Sequence, residues 1–215
     1  MSRKFLARLA PLLAIAAFAV VPAMAQAANA RWTVNDEAFT GTKEVLNGSK
    51  AITLVDPTLK VTIVCEASSK GTITNPTTGN STDSITSITF FNCKVSGPEG
   101  EGCTAAVVAE KLPWATEVNE AGTIDTITGV QVKITLTGTC SAKGTVTYSG
   151  TLSDKIANDI VPPTGTPNCK VQTLQSALSG ELESEPFKTK GKITGNVYIC
   201  TAKGEEVGVN DLDKP

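Results

Sequence analysis

Carboxylates are the side chains of this chain best placed to do chemistry. Glu99, Glu101, Glu117, Glu181, Glu183 and Glu185 offer acids that could pair for glycoside hydrolysis. That chemistry needs two carboxyl groups about 5–10 Å apart across a sugar bond. All six sit in polar stretches, where a solvated charge is the simpler reading. Ser141 and Lys143 have the types of a Ser-Lys dyad, but they fall in a turn-like segment. Asp211 and Asp213 are too few for a calcium cage, which needs six or more oxygens. The chain contains no histidine. This removes Ser-His-Asp and Cys-His catalysis, the HExxH zinc site and the usual general base near neutral pH. No catalytic residue and no metal ligand is assigned, and no cofactor is expected.

Six cysteines are the other reactive set: Cys65, Cys93, Cys103, Cys140, Cys169 and Cys200. Their spacings are tens of residues wide and include no C-x-x-C pair, so neither zinc nor redox catalysis fits. An even count behind an export leader reads as a disulfide framework. Of the 15 possible connectivities, the sequential one is preferred: Cys65–Cys93, Cys103–Cys140 and Cys169–Cys200.

Residues 1–30 read as a signal peptide. Arg3, Lys4 and Arg8 precede an apolar run broken by Pro11 and Pro22, and cleavage-type alanines lie between Ala25 and Ala30. The apolar run is too short and interrupted for a membrane anchor, so no span is expected after cleavage. The formal net charge is -2, which speaks against a nucleic-acid partner, where a basic stripe would be needed.

The elements that must hold these residues read as strands. The stretch 85–114 suggests two strands joined by a Gly-rich loop, with Cys93 ending the first and Cys103 opening the second. Leu59, Val61, Ile63, Cys65 and Ala67 alternate with mostly polar neighbours, as do Val130, Val132, Ile134 and Leu136. This is the period of strands buried on one face. Asn47-Gly48 reads as a hairpin turn between 43–46 and 51–55. Residues 31–39 read as one strand, 156–168 as a loop, 171–183 as a strand in preference to a helix, and 204–209 as a last hairpin arm. Short strands separated by turns, without strand–helix alternation, predict an all-β antiparallel sandwich or barrel-like domain stapled by disulfides. The expectation is a single domain over 31–209, with a frayed tail at 210–215.

One family resemblance is carried by Cys65, Gly71-Thr-Ile-Thr74, Ile88-Thr-Phe90, Cys93, Cys103, Leu112-Pro-Trp114, Ile127-Thr-Gly-Val130 and Cys140. Over roughly 59–152 the chain resembles exported bacterial proteins described as activators of alkane oxidation. It is also similar to a wider set of secreted actinobacterial proteins. The resemblance implies a small extracellular protein that helps cells use or contact hydrophobic carbon sources, without a known active site.

The expected function is therefore a non-enzymatic secreted or cell-surface protein acting by contact: adhesion, assembly, or engagement of an apolar surface or hydrocarbon. Its partner would be itself or a hydrophobic surface. Trp32 and Trp114 are the contact residues to consider, as exposed platforms or as core lids, since Trp suits both settings. A secreted hydrolase using a carboxylate pair is the alternative.

Overall fold

The computed structural model describes residues 29–210. The leader lies outside the described residues except for its last two positions, and the tail lies outside except for Asn210. Twelve strands and no helix form among the described residues. They are β1 (Arg31–Val34), β2 (Glu37–Ala38), β3 (Gly41–Asp56), β4 (Val61–Asn75), β5 (Thr82–Ser96), β6 (Cys103–Glu110), β7 (Trp114–Val118), β8 (Ile124–Gly138), β9 (Gly144–Ile160), β10 (Thr173–Glu185), β11 (Lys190–Thr201) and β12 (Val207–Asn210).

The large sheet is an up-and-down meander that closes on itself. Strands β3 to β5 pair in succession, as do β8 to β11, and β11 returns to β3 through Ile193–Leu54 and Cys200–Leu46. β6 and β7 share one position in the wall. Both lie along β8, β7 opposite its first residues and β6 opposite its last. The result is an antiparallel barrel of eight wall positions. The small sheet, in the order β12-β1-β2, is separate from the wall.

Sequence periodicity explains the wall. Along β4 every second residue from Val61 to Asn75 is buried, while its neighbours are only partly covered or exposed. Such alternation suits a sheet with one dry face. The outward positions carry residues such as Thr89, Thr104, Lys133, Lys155 and Lys192. A lipid-facing barrel would instead present an outward apolar band.

Apolar side chains inside the barrel form two clusters. The larger fills the barrel body and includes Leu54, Ile63, Trp114, Ile127, Ile134, Tyr148, Leu152 and Leu182. The smaller, at one end, joins Val45, Ile73, Val118, Leu174 and Ile199 of the wall to Trp32, Val34, Val207 and Val209 of the small sheet. The small sheet is thus a plug. Asn75 fastens it: its Oδ1 accepts from the Trp32 N–H (2.9 Å) and from Ser81 Oγ (2.9 Å). Its Nδ2 donates to the Trp32 carbonyl (2.7 Å) and the Phe39 carbonyl (2.9 Å). Ala30, the last of the candidate cleavage alanines, is buried in the same cluster.

The bridges are Cys65–Cys93, Cys103–Cys140 and Cys169–Cys200. The first joins neighbouring strands β4 and β5. The second ties the start of β6 to the turn after β8. The third pins the β9–β10 connection onto β11.

Several sequence expectations need correction. Asn47-Gly48 is not a turn but the middle of β3. A Cβ at Gly48 would lie 1.7 Å from the Pro167 carbonyl oxygen, so the glycine is there to let the β9–β10 connection approach the strand. The turn that ends β3 comes at Asp56, whose Oδ1 accepts from the N–H groups of Thr58 and Leu59, both at 2.9 Å. Residues 31–39 are two strands, because Asn35 and Asp36 both take positive φ (51° and 61°), the geometry of a two-residue hairpin turn. β9 runs on to Ile160, into the span expected to be loop. β12 pairs with β1 rather than returning along β11, apart from one bridge between Cys200 and Glu206. Finally, β5 and β6 do not form a hairpin ladder. β5 pairs with β4 and, through Thr82–Ile85, with β7, while β6 pairs with β8. From Thr86 onward, the edge of β5 that faces β6 is unladdered, leaving a seam in the wall.

Candidate functional site: a polar belt in an apolar lumen

Between the two apolar clusters the inward side chains turn polar for one level. Stepping two residues at a time along each strand, Val118 gives way to Thr116 and then Trp114. Ile156 gives way to Asp154 and then Leu152, and Leu174 to Ser176 and then Leu178. On β8, Asp125 precedes Ile127, and on β5, Asp83 precedes Ile85. Asn47 and Ser49 on β3 and Ser69 on β4 complete the belt. The belt's polar residues all line one internal cavity of about 100 Å³. Its remaining lining is mainly aliphatic and aromatic, including Ile52, Ile63, Ile88, Phe90, Val107 and Ile134.

Strand register brings the three acids together. Asp125 and Asp154 are direct cross-strand partners, which places their side chains side by side on the inner face. Asp83 is opposite Thr116 on the next pair of strands. Asp154 Oδ2 accepts a hydrogen bond from Ser176 Oγ. The Oδ1 atoms of Asp83, Asp125 and Asp154 are buried and have no partner.

This setting favours the neutral acids. Burial, followed by the charges of Asp125 and Asp154, holds Asp83 well above the ordinary carboxylate range. Burial raises Asp125 to about 6, tempered by the nearby Thr116 hydroxyl and by backbone amides. Burial also raises Asp154 to about 7, with Ser176 lowering it and the Asp125 charge raising it further. Asp125 and Asp154 therefore titrate near neutrality, and the three acids interact as a set.

The residues singled out in the sequence lie elsewhere. Glu117 is exposed on β7, where it accepts from Asn80 Nδ2 (2.8 Å). Glu181 is exposed on β10 and pairs with Lys190 at 3.5 Å; Glu183 and Glu185 face Lys188. Glu99 accepts from Ser141 Oγ at the surface, and Glu101 is exposed. None of these acids lines the cavity, and they act as solvated charges. Lys143 is exposed in the β8–β9 turn. Asp211 and Asp213 lie outside the described residues.

Neither tryptophan is an exposed platform. Trp32 is 0% exposed and donates its indole N–H to the Thr82 carbonyl (3.2 Å). Trp114 is 4% exposed, donates to the Glu110 carbonyl (2.9 Å) and lines the cavity. Of the two settings open to them, platform or core lid, both tryptophans take the buried one, so neither offers a surface contact. For Trp114 a role survives as part of the lumen wall.

The acids that do converge were missed in the sequence, although a signal was present. Asp154 sits two residues from Leu152 and from Ile156, in the inward phase of its strand. Asp125 sits two residues before Ile127, and Asp83 two before Ile85. A charged residue in the buried phase of an alternating strand is the signature to look for. Comparison with family models, with curated proteins and with solved structures finds no match to this chain.

Proposed function

We propose that this is a non-enzymatic, exported binding protein that holds a small apolar molecule inside its barrel. The observation that carries the reading is the lumen: a closed meander whose cavity of about 100 Å³ is lined mainly by Ile, Leu, Val, Phe90 and Trp114. Eight wall positions make an interior just wide enough to be filled by side chains or to hold one small ligand. An apolar cavity of roughly 150 Å³ is enough to bind benzene or xenon, so the lumen suits a molecule of a few carbons. The resemblance to alkane-oxidation activators points toward hydrocarbon as well, with the contact inside the barrel rather than on its outer face. Three disulfides fit an oxidising compartment, in line with export and an extracellular or cell-surface location.

The carboxylate-hydrolase alternative gains three converging acids but loses the room to use them. Ligand clefts commonly measure about 300–1,000 Å³, and an extended sugar needs a groove rather than an internal hole. The test is titration of the oxidised protein with n-pentane, followed by the methyl NMR signals of its Ile, Leu and Val residues. Saturable shifts at Ile127, Ile134 and Leu152 are expected. Their absence up to the solubility limit of pentane would overturn the reading.

A further inference from the structure

The belt carries more hydrogen-bonding capacity than an apolar guest would use. Besides the three carboxylate Oδ1 atoms, two neutral oxygens are buried without a hydrogen bond of ordinary geometry: Asn47 Oδ1 and Thr116 Oγ1, the latter beside the Asp125 carboxyl. Their residues are 5% and 4% exposed, as buried as Asp125 and Asp154 at 4% each. All five residues line the cavity.

Asp56 shows how this chain satisfies an acid it buries for structure alone. It is 0% exposed, yet it accepts from two backbone N–H groups, from the Tyr148 hydroxyl (2.9 Å) and from Thr189 Oγ1. Buried polar groups in native proteins are normally paired in this way. The belt departs from that rule at five atoms around one cavity.

The chemistry of those atoms identifies what would satisfy them. The Asn47 amide oxygen and the three carboxylate oxygens, once ionised, can only accept, and the fifth, a hydroxyl, can accept as well. No lysine or arginine is among the described residues lining the cavity, so the carboxylates have no internal counter-charge. The complement is a cation with several N–H or O–H donors. Among the described residues, no three acids or cysteines form a group that could hold a metal ion, so a larger, donor-bearing cation fits better. An alkylammonium has three N–H donors on one positive centre. One step further into the barrel on the same strands, the lining becomes Ile85, Trp114, Ile127 and Leu152, which would receive a hydrocarbon body.

We propose that the barrel binds a small apolar primary amine, with its ammonium on Asp83, Asp125 and Asp154 and its hydrocarbon chain along the lumen. This deepens, and rests on, the reading of the lumen as a ligand site. The seam between β5 and β6 is the way in. Opening it breaks no ladder, and Ile88, Phe90 and Val107 from its two sides already reach the cavity.

The experiment compares n-butylamine with n-pentane, which replaces the ammonium by a methyl group, on the oxidised protein at pH 8. Both are titrated by methyl NMR on the wild type and on the Asp125→Asn/Asp154→Asn double variant. Asp→Asn keeps the shape and removes buried charge, so the variant should fold, and its thermal unfolding is recorded alongside. The amine should bind at least tenfold more tightly than pentane, and the double variant should lose that preference. An amine that binds no better than pentane, or a preference the double variant retains, overturns the amine assignment while pentane binding keeps the apolar reading standing. Binding of neither compound removes both.

Discussion

At the scale of single residues, the burial of the belt acids makes stability depend on pH in a defined direction. Asp125 and Asp154 have folded-state values of about 6 and about 7, above the roughly 3.9 of an unfolded Asp. Between these limits the folded chain binds more protons than the unfolded chain, so stability falls as pH rises. The groups facing the pair are Asp83 on β5, Thr116 on β7, Ser176 on β10, Asn47 and Ser49 on β3 and Ser69 on β4. None is a cation that could reverse the sign. Raising one carboxyl pKa by a single pH unit is worth about 1.4 kcal/mol, so the contribution present near pH 4 and lost by about pH 8 is on the order of several kcal/mol. Thermal unfolding in buffers from pH 4 to pH 8 should show a falling midpoint over that window. The Asp125→Asn/Asp154→Asn variant should flatten most of the slope and be the more stable protein at pH 8. A profile that rises from pH 4 to pH 8 would mean that these carboxylates are paired rather than desolvated.

At the scale of elements, β3 shows how a local signal yields to a tertiary contact. Asn-Gly is a strong hairpin dipeptide, yet here Asn47 faces the lumen and Gly48 lets the β9–β10 connection cross the strand. Asn168 Nδ2 donates to the Asn47 carbonyl at 2.9 Å, and Cys169 next to it is bridged to Cys200 on β11. Gly48→Ala would drive a methyl into the Pro167 carbonyl, a clash between backbone segments that no rotamer can relieve. Overpacking of this kind costs about 1–3 kcal/mol and occasionally more. The urea midpoint should fall accordingly, with the m-value unchanged. The strands themselves were legible wherever polar and apolar residues alternate, as in β4 and β8, because a one-sided dry sheet writes its period directly into the sequence. Closure was not legible: nothing in β11 or β3 marks them as partners across more than a hundred residues. The seam was hidden for a related reason. A Gly-rich loop between two strands suggests a hairpin, but Cys93 draws β5 toward β4 while Cys103 and its ladder draw β6 toward β8. The belt was not legible as a cluster either, because Asp125 and Asp154 become neighbours only once β8 and β9 are in register.

At the scale of the whole molecule, the sulfur bridges have a simple arrangement with a quantitative consequence. Their loops span 28, 37 and 31 residues and do not overlap. Each bridge therefore restricts its own part of the unfolded chain, and the three effects should be nearly additive. In the chain-entropy model a loop of this length contributes about 3–4 kcal/mol, so the set contributes on the order of 10 kcal/mol. That is comparable with the entire stability of an ordinary domain, about 5–15 kcal/mol. A meander barrel needs such help: nearly all its contacts are between strands, and closure joins β3 to β11, far apart in the chain. Reduction by dithiothreitol at neutral pH should leave a chain near the edge of folding. Near-UV circular dichroism should show tertiary signal lost at 25 °C or the thermal midpoint lowered by tens of degrees. Single-bridge variants, with both cysteines replaced by alanine, should each account for about a third of the loss. One variant that removed nearly all of it would mean the bridges act on the native barrel rather than on the unfolded chain. In that case Cys103–Cys140, which holds one side of the seam against β8, would be the bridge to suspect.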